Sequence, residues 1–100
     1  MNYRYNKGDT VYIRCKHETY DFATDAWSLA DPDSGYPKIT EKDSAGTVKV
    51  DATSMTKIAV GKFEHKYQLA SDALPGVWPC FIEISSGGYK DKEYFSFEVI

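Results

Sequence analysis

The chain predicts an all-β fold: an antiparallel sandwich of two sheets with about seven strands. Three observations carry that expectation. Apolar residues alternate with polar ones along several short runs, no long stretch has apolar residues at helical spacing, and turn-forming clusters punctuate the runs at short intervals. The mixed polar faces exclude a doubly wound parallel sheet, whose strands are apolar on both sides.

The first run is Val11, Ile13 and Cys15 on one side with Tyr12, Arg14 and Lys16 on the other, a strand over 9–17. Residues 2–5 are a candidate edge strand before it, across the turn Asn6-Lys7-Gly8-Asp9. Strands 37–42, 46–51 and 55–59 follow, with Asp43-Ser44-Ala45-Gly46 turning between the first two. Phe63, His65, Tyr67 and Leu69 alternate with Glu64, Lys66 and Gln68 over 62–69. Phe63, Tyr67 and Leu69 should be the buried set, because a slip of one residue would bury three polar side chains instead. Leu74-Pro75-Gly76 then makes a corner, read as a type II turn in which Gly76 supplies the positive φ. From it Trp78 enters the core on a strand over 77–85. Pro79 donates no ladder hydrogen bond, so it must face a bulge or an unpaired side. Ser85-Ser86-Gly87-Gly88 is a hairpin turn, and Phe95, Phe97 and Val99 alternate with Ser96 and Glu98 on a last strand over 92–100.

Residues 18–36 form the longest stretch without clear alternation. A gap of that length in a small domain holds a functional loop or an unrecognised element. Trp27 and Leu29 alternate with Ala26, Ser28 and Ala30, which fits a short extra strand, and the segment ends in the turn Asp31-Pro32-Asp33-Ser34-Gly35.

One hundred residues make one domain, 1–100, with a single compact core. Apolar residues at 42% and aromatics at 15% argue against disorder. Net charge is −3, with both signs scattered, so neither a basic groove for nucleic acid nor a polybasic membrane anchor is expected. No apolar run approaches the roughly 18 residues of a membrane span, so no membrane insertion is expected. The first residues lack the apolar segment of a signal peptide. The expectation is a cytoplasmic or virion-associated chain, or an excised domain of a surface protein.

Cys15 and Cys80 lie 65 positions apart on the inward side of two strands, Trp27 follows Cys15 by 12 positions, and Trp78 stands two before Cys80. In these features the chain resembles an immunoglobulin-like β-sandwich over its whole length. A closer match runs through Leu29-Ala30-Asp31-Pro32-Asp33-Ser34, Ile39-Thr40 and Met55-Thr56-Lys57-Ile58. It continues through Gly61-Lys62-Phe63-Glu64-His65-Lys66-Tyr67 and Pro75-Gly76-Val77-Trp78 to Phe97-Glu98-Val99. That series resembles stand-alone Ig-like modules of bacteria, archaea and phages, including macroglobulin-type domains. The two matches agree on fold and differ on Trp27, a core residue in the first and a long-loop residue in the second. Glu41 departs from both, since an apolar residue is expected there.

The resemblance implies that Cys15 and Cys80 face each other between the sheets, where an oxidising compartment would bridge them. Closing that loop would stabilise the fold by roughly 4 kcal/mol. The other reading is two small buried hydrophobes, reduced in a cytosolic protein. His17 lies on one face with Cys15 but no second ligand pair follows, and His65 sits in the aromatic row, so no metal site is expected. Asp31 and Asp33, with Asp21 and Asp25 nearby, begin like a calcium loop, but Lys42 stands where the bidentate Glu belongs. A solvated turn is the expectation. No nucleophile elbow or phosphate loop is present, and neither catalysis nor a cofactor is expected.

Aromatic residues outside the inward strand positions remain: Tyr20, Phe22, Trp27, Tyr36 and Tyr89. Loop aromatics anchor protein partners or stack on sugar faces. The expected function is a non-catalytic structural or interaction module, part of a phage virion or cell-surface assembly, contacting a protein partner. The alternative is a carbohydrate-binding module using Tyr20, Trp27 and Tyr36. The first reading has the 18–36 segment fold back, burying Trp27 on the sandwich rim and leaving the Asp31–Gly35 turn in water. The second needs a planar row of exposed rings.

Overall fold

A computed structural model of the chain describes residues 3–33 and 35–100. It is all-β, with ten strands among the described residues: β1 (Arg4–Tyr5), β2 (Thr10–Lys16), β3 (Glu18–Asp21), β4 (Ala26–Leu29), β5 (Lys38–Lys42), β6 (Val48–Ser54), β7 (Thr56–Ala59), β8 (Lys62–Gln68), β9 (Gly76–Ser86) and β10 (Tyr89–Val99). One sheet has the order β1-β10-β9-β5-β6 and a second the order β2-β8-β7, while β3 and β4 pair only with each other. Every pairing is antiparallel except β1 with β10.

Both larger sheets feed the same core. Val11 of β2 packs with Trp78, Cys80, Phe97 and Val99 of β9 and β10, and Phe63 of β8 packs with Ile39, Val50 and Ile82 of the other sheet. Ile13, Tyr67 and Phe95 touch both clusters. Period-two alternation creates this arrangement, because a strand with one apolar face is satisfied only by a second sheet opposite it. On β8, Phe63 and the following Leu69 are buried and Tyr67 is half-buried, while Lys66 and Gln68 are exposed. Glu64 is held flat by Arg14, with Nε 2.8 Å from its Oε2. Trp78 is buried to 1% exposure, and its indole N–H donates to Leu74 O at 2.9 Å, satisfying the only polar atom on the ring.

Each of the seven expected runs contains a strand, with differences at the ends. β6 continues to Ser54 because it is bulged: between Ile39↔Thr53 and Glu41↔Val50 it spends one more residue than β5. Ala52 sits in that bulge at φ +43°, its N–H bonded to Thr40 Oγ1 at 3.1 Å. β10 begins at Tyr89 rather than at 92, carrying the β9–β10 hairpin past the core. The radius of gyration is 15.1 Å, against about 13 Å for a compact chain of this length.

Pro79 shows why the pattern tolerates it. Glu98 N donates to Tyr3 O, away from β9, so by alternation Ser96 also faces away and Pro79 opposite it needs no bond to β10. On its other side the β5 ladder ends one residue earlier, at Glu41↔Cys80. Gly76 has the expected positive φ (+118°), but as the first residue of β9. Its lack of a side chain is also required by packing, since a Cβ there would stand 2.9 Å from Ser44 Cβ.

Glu41 is the exception to the pattern. It stands between Cys80 of β9 and Val50 of β6 at 0% exposure, and neither carboxylate oxygen has a hydrogen-bond partner. Burial alone pushes its pKa up to about 7, because the charged form loses water and gains no donor.

Candidate functional site

The 18–36 segment holds a β-hairpin rather than a loop folded on the core. Glu18–Asp21 pairs with Ala26–Leu29 in the register Glu18↔Leu29, Tyr20↔Trp27 and Asp21↔Ala26. Its turn is encoded locally. Asp21 Oδ1 accepts from Ala23 N at 2.9 Å, an Asx turn, and Asp25 takes a left-handed φ of +53°, which aspartate tolerates better than most residues. A lone two-stranded hairpin is marginal in water, so its base must be held. His17 N donates to Gly61 O at 2.7 Å, Ala30 N donates to His17 O at 3.1 Å, and His17 Nδ1 donates to Ala30 O at 2.8 Å. Gly61, in the β7–β8 turn at φ +69°, permits the approach: a Cβ there would lie 2.7 Å from His17 O and 2.8 Å from Ala30 N.

Asp31 and Asp33 stay exposed, as expected of a solvated turn, yet they also form a second tether. Asp31 Oδ1 accepts from Gly61 N at 2.9 Å and Oδ2 from Lys57 Nζ. The Gly61 bond first and Lys57 second hold the Asp31 carboxyl below its usual pKa. Asp33 Oδ1 accepts from Gly87 N at 2.7 Å in the β9–β10 turn, and Pro32 is buried. These carboxylates are occupied by backbone donors. Among the described residues, no three His, Cys, Asp or Glu side chains converge as a metal site.

Cross-strand pairing puts Tyr20, Trp27 and Leu29 on one face of the hairpin, with Phe22 at the turn. Tyr20 meets Phe22 edge-on (centroids 4.8 Å apart, planes at 83°) and Trp27 at a tilt (5.2 Å, 60°). Phe22 is 88% and Trp27 66% exposed, while Tyr20, between them, is half-buried. The expectation that Trp27 packs on the rim is therefore corrected. Its hairpin pairs with itself as a separate two-stranded sheet, and Tyr20 is the aromatic ring packed against it among the described residues. The cluster is not a planar row either, because its rings meet at steep angles.

The other candidate residues lie apart from this cluster. Tyr36, still partly exposed, leans on Phe63 at 5.4 Å, and Tyr89 is exposed beside the β9–β10 turn. Cys15 and Cys80 are free thiols. Cys15 Sγ lies 3.6 Å from Met55 Sδ, while Cys80 Sγ lies 3.4 Å from Trp78 O in the other core cluster. Burial, with smaller contributions from Glu93 and Glu41, pushes the two thiols to about 11 and about 12, so neither is a thiolate nucleophile at neutral pH. His65 is half-buried, lowered by desolvation, and its Nε2 has no partner.

Sequence reasoning missed Glu18–Asp21 as a strand, because every residue of that hairpin is at least partly wet and hydrophobic alternation has nothing to report. The legible signal was Asp21 before, and Asp25 at the end of, the four-residue turn 22–25 between Tyr20 and Trp27. No protein-family model, curated protein or solved structure matches the chain.

Proposed function

We propose that this chain is a non-catalytic, immunoglobulin-like recognition module that docks a protein partner through the tip and aromatic face of the β3–β4 hairpin. The carrying observation is the exposed cluster of Phe22 and Trp27 around Tyr20, on a hairpin pinned at its base through Gly61 and Asp31. Large apolar side chains held in water by a well-anchored element are the usual make-up of a protein-contact anchor. The Ig-like part of the reading is supported by the β1-β10-β9-β5-β6 and β2-β8-β7 orders, with the hairpin inserted between β2 and β5. Steep angles between the rings favour a pocketed protein surface over the flat face of a sugar.

A carbohydrate partner is the second reading, favoured by the exposure of Trp27 alone. The test is affinity capture with the wild-type chain, a Phe22→Ser/Trp27→Ala double variant and a Tyr94→Ser variant altered elsewhere, run beside a glycan array. A protein retained by wild type and Tyr94→Ser, and lost from the double variant, supports docking by the hairpin. Glycan binding that disappears in Trp27→Ala, with protein capture unaltered, replaces that reading with the second one.

A further inference from the structure

The two sheets do not close on one side. Strand β2 is an edge of its sheet, and on the other sheet β1 covers β10 only at Glu98 and Val99 among the described residues. Between these edges runs a groove of about 660 Å³, lined by Ile13 and Cys15 from β2 and by Ile82, Glu93 and Phe95 from β9 and β10. Among the described residues, the β10 edge beyond β1 is an unpaired hydrogen-bonding row. Because Glu98 and Ile100 donate their N–H groups to β1, alternation turns those of Lys90, Lys92 and Tyr94 the same way, into the opening. Side chains on this stretch are sorted by charge. Lys92 lies over the outer ring of Phe81 at 4.9 Å and 3.9 Å from Glu83, and Lys90 shares that outer face by alternation. Glu93 faces the groove, with Asp91 on the same side.

We propose that this edge binds an extended peptide segment of a partner protein as an added antiparallel strand. Its side chains would be apolar opposite Phe95, basic opposite Glu93 and Asp91, and acidic opposite Lys92 and Lys90. Backbone bonds to the row supply affinity, and the charge order supplies register. A basic side chain opposite Glu93 lays its aliphatic stem along the β2 wall of the groove, at Ile13 and Cys15, while its head meets the carboxylate. A second copy of this chain fits poorly. Two-fold antiparallel pairing preserves the faces, so centring it on Lys92 sets Lys92 against Lys92 and Asp91 against Glu93. Centring it on Asp91 sets Lys90 against Lys92. This surface is separate from the hairpin tip, so either contact can fail without the other.

The test uses the blocked peptide Val-Thr-Lys-Glu-Lys-Glu and its charge-swapped counterpart Val-Thr-Glu-Lys-Glu-Lys, with amide exchange followed residue by residue by NMR. The first peptide should slow exchange at Lys90, Lys92 and Tyr94 at least tenfold, and the second should bind at least tenfold more weakly. Tyr94→Pro removes one outward N–H that β9 does not use. It should abolish binding while the chain still unfolds cooperatively, and Lys92→Glu should reduce the preference for the first peptide. Trp27→Ala should leave peptide binding unchanged. Equal binding of both peptides, no protection at the three amides, or full binding by a folded Tyr94→Pro variant overturns the proposal. Protection of those amides that grows with protein concentration alone overturns it in favour of self-association.

Discussion

Strand β8 sends Phe63 fully into the core and Tyr67 half into it against Trp78, whereas hairpin β3–β4 leaves Phe22 and Trp27 in solvent. Aromatic content does not separate the two regions. β8 pairs on both edges, with β2 and β7, and its apolar face is covered by the opposite sheet. The hairpin pairs only with itself, and its attachment to the rest of the chain is polar, through His17, Ala30, Gly61 and Asp31. A covered face converts aromatic area into stability, while an uncovered face leaves it available to a partner. Substitutions in the two regions should differ accordingly.

The largest effect belongs to the core. Phe63→Ala should cost about 3–5 kcal/mol, a large part of the stability of a domain this size. Urea unfolding should show a lower midpoint at unchanged slope, and an unchanged midpoint would break the assignment of this face.

Next comes the charge inside that core. Glu41 has a pKa of 4.5 as an ordinary side chain and about 7 in the fold, so the native state holds its proton more tightly than the unfolded state. Its contribution is complete below pH 4.5 and is lost as pH rises through about 7, a change of about 3 kcal/mol. Asp31 and Glu64 have lowered values, and their contributions disappear only in more acid solution, as pH falls through those values. Between pH 5 and 8 the lowered His65 acts in the opposite sense, adding stability as pH rises, so a loss of stability across that range belongs to Glu41. Glu41→Gln should abolish that loss of stability with rising pH, and a loss that persists in the variant would place its origin elsewhere.

Gly61 joins the two regions, and Gly61→Ala should cost about 1–3 kcal/mol through its left-handed φ and the collision with His17 O. Amide exchange should speed up at His17 and Ala30 more than at Phe63 or Trp78. A uniform change would mean that the hairpin base and the core open as one unit.

The smallest effect should be at the hairpin itself. Trp27→Ala should shift unfolding by no more than about 0.5 kcal/mol, the range for surface positions. A melting temperature several degrees lower would show that the ring buries something in the folded chain, and the contrast with β8 would fail.

By itself the sequence determined the class of fold and the placement of its main strands. Alternation such as Phe63-Glu64-His65-Lys66-Tyr67, or Trp78 to Ile84, is a local record of having one face in a core. Pro79 was readable in the same way, since a residue without a donor must sit where no ladder bond is needed. Tyr20, Phe22 and Trp27 were legible as aromatics without an inward strand position, but their grouping and exposure were not. Only the tertiary structure decided those points, because cross-strand register creates the cluster on a hairpin that pairs with itself as a separate two-stranded sheet. The same holds for Asp31 and Asp33, whose carboxylates meet Gly61 and Gly87 at distant turns. It holds again for Glu41, a carboxylate standing where the resemblance expects an apolar residue and left by packing without a donor. Periodicity reports which side of a strand is inward, and only the assembled sheets determine what stands opposite it.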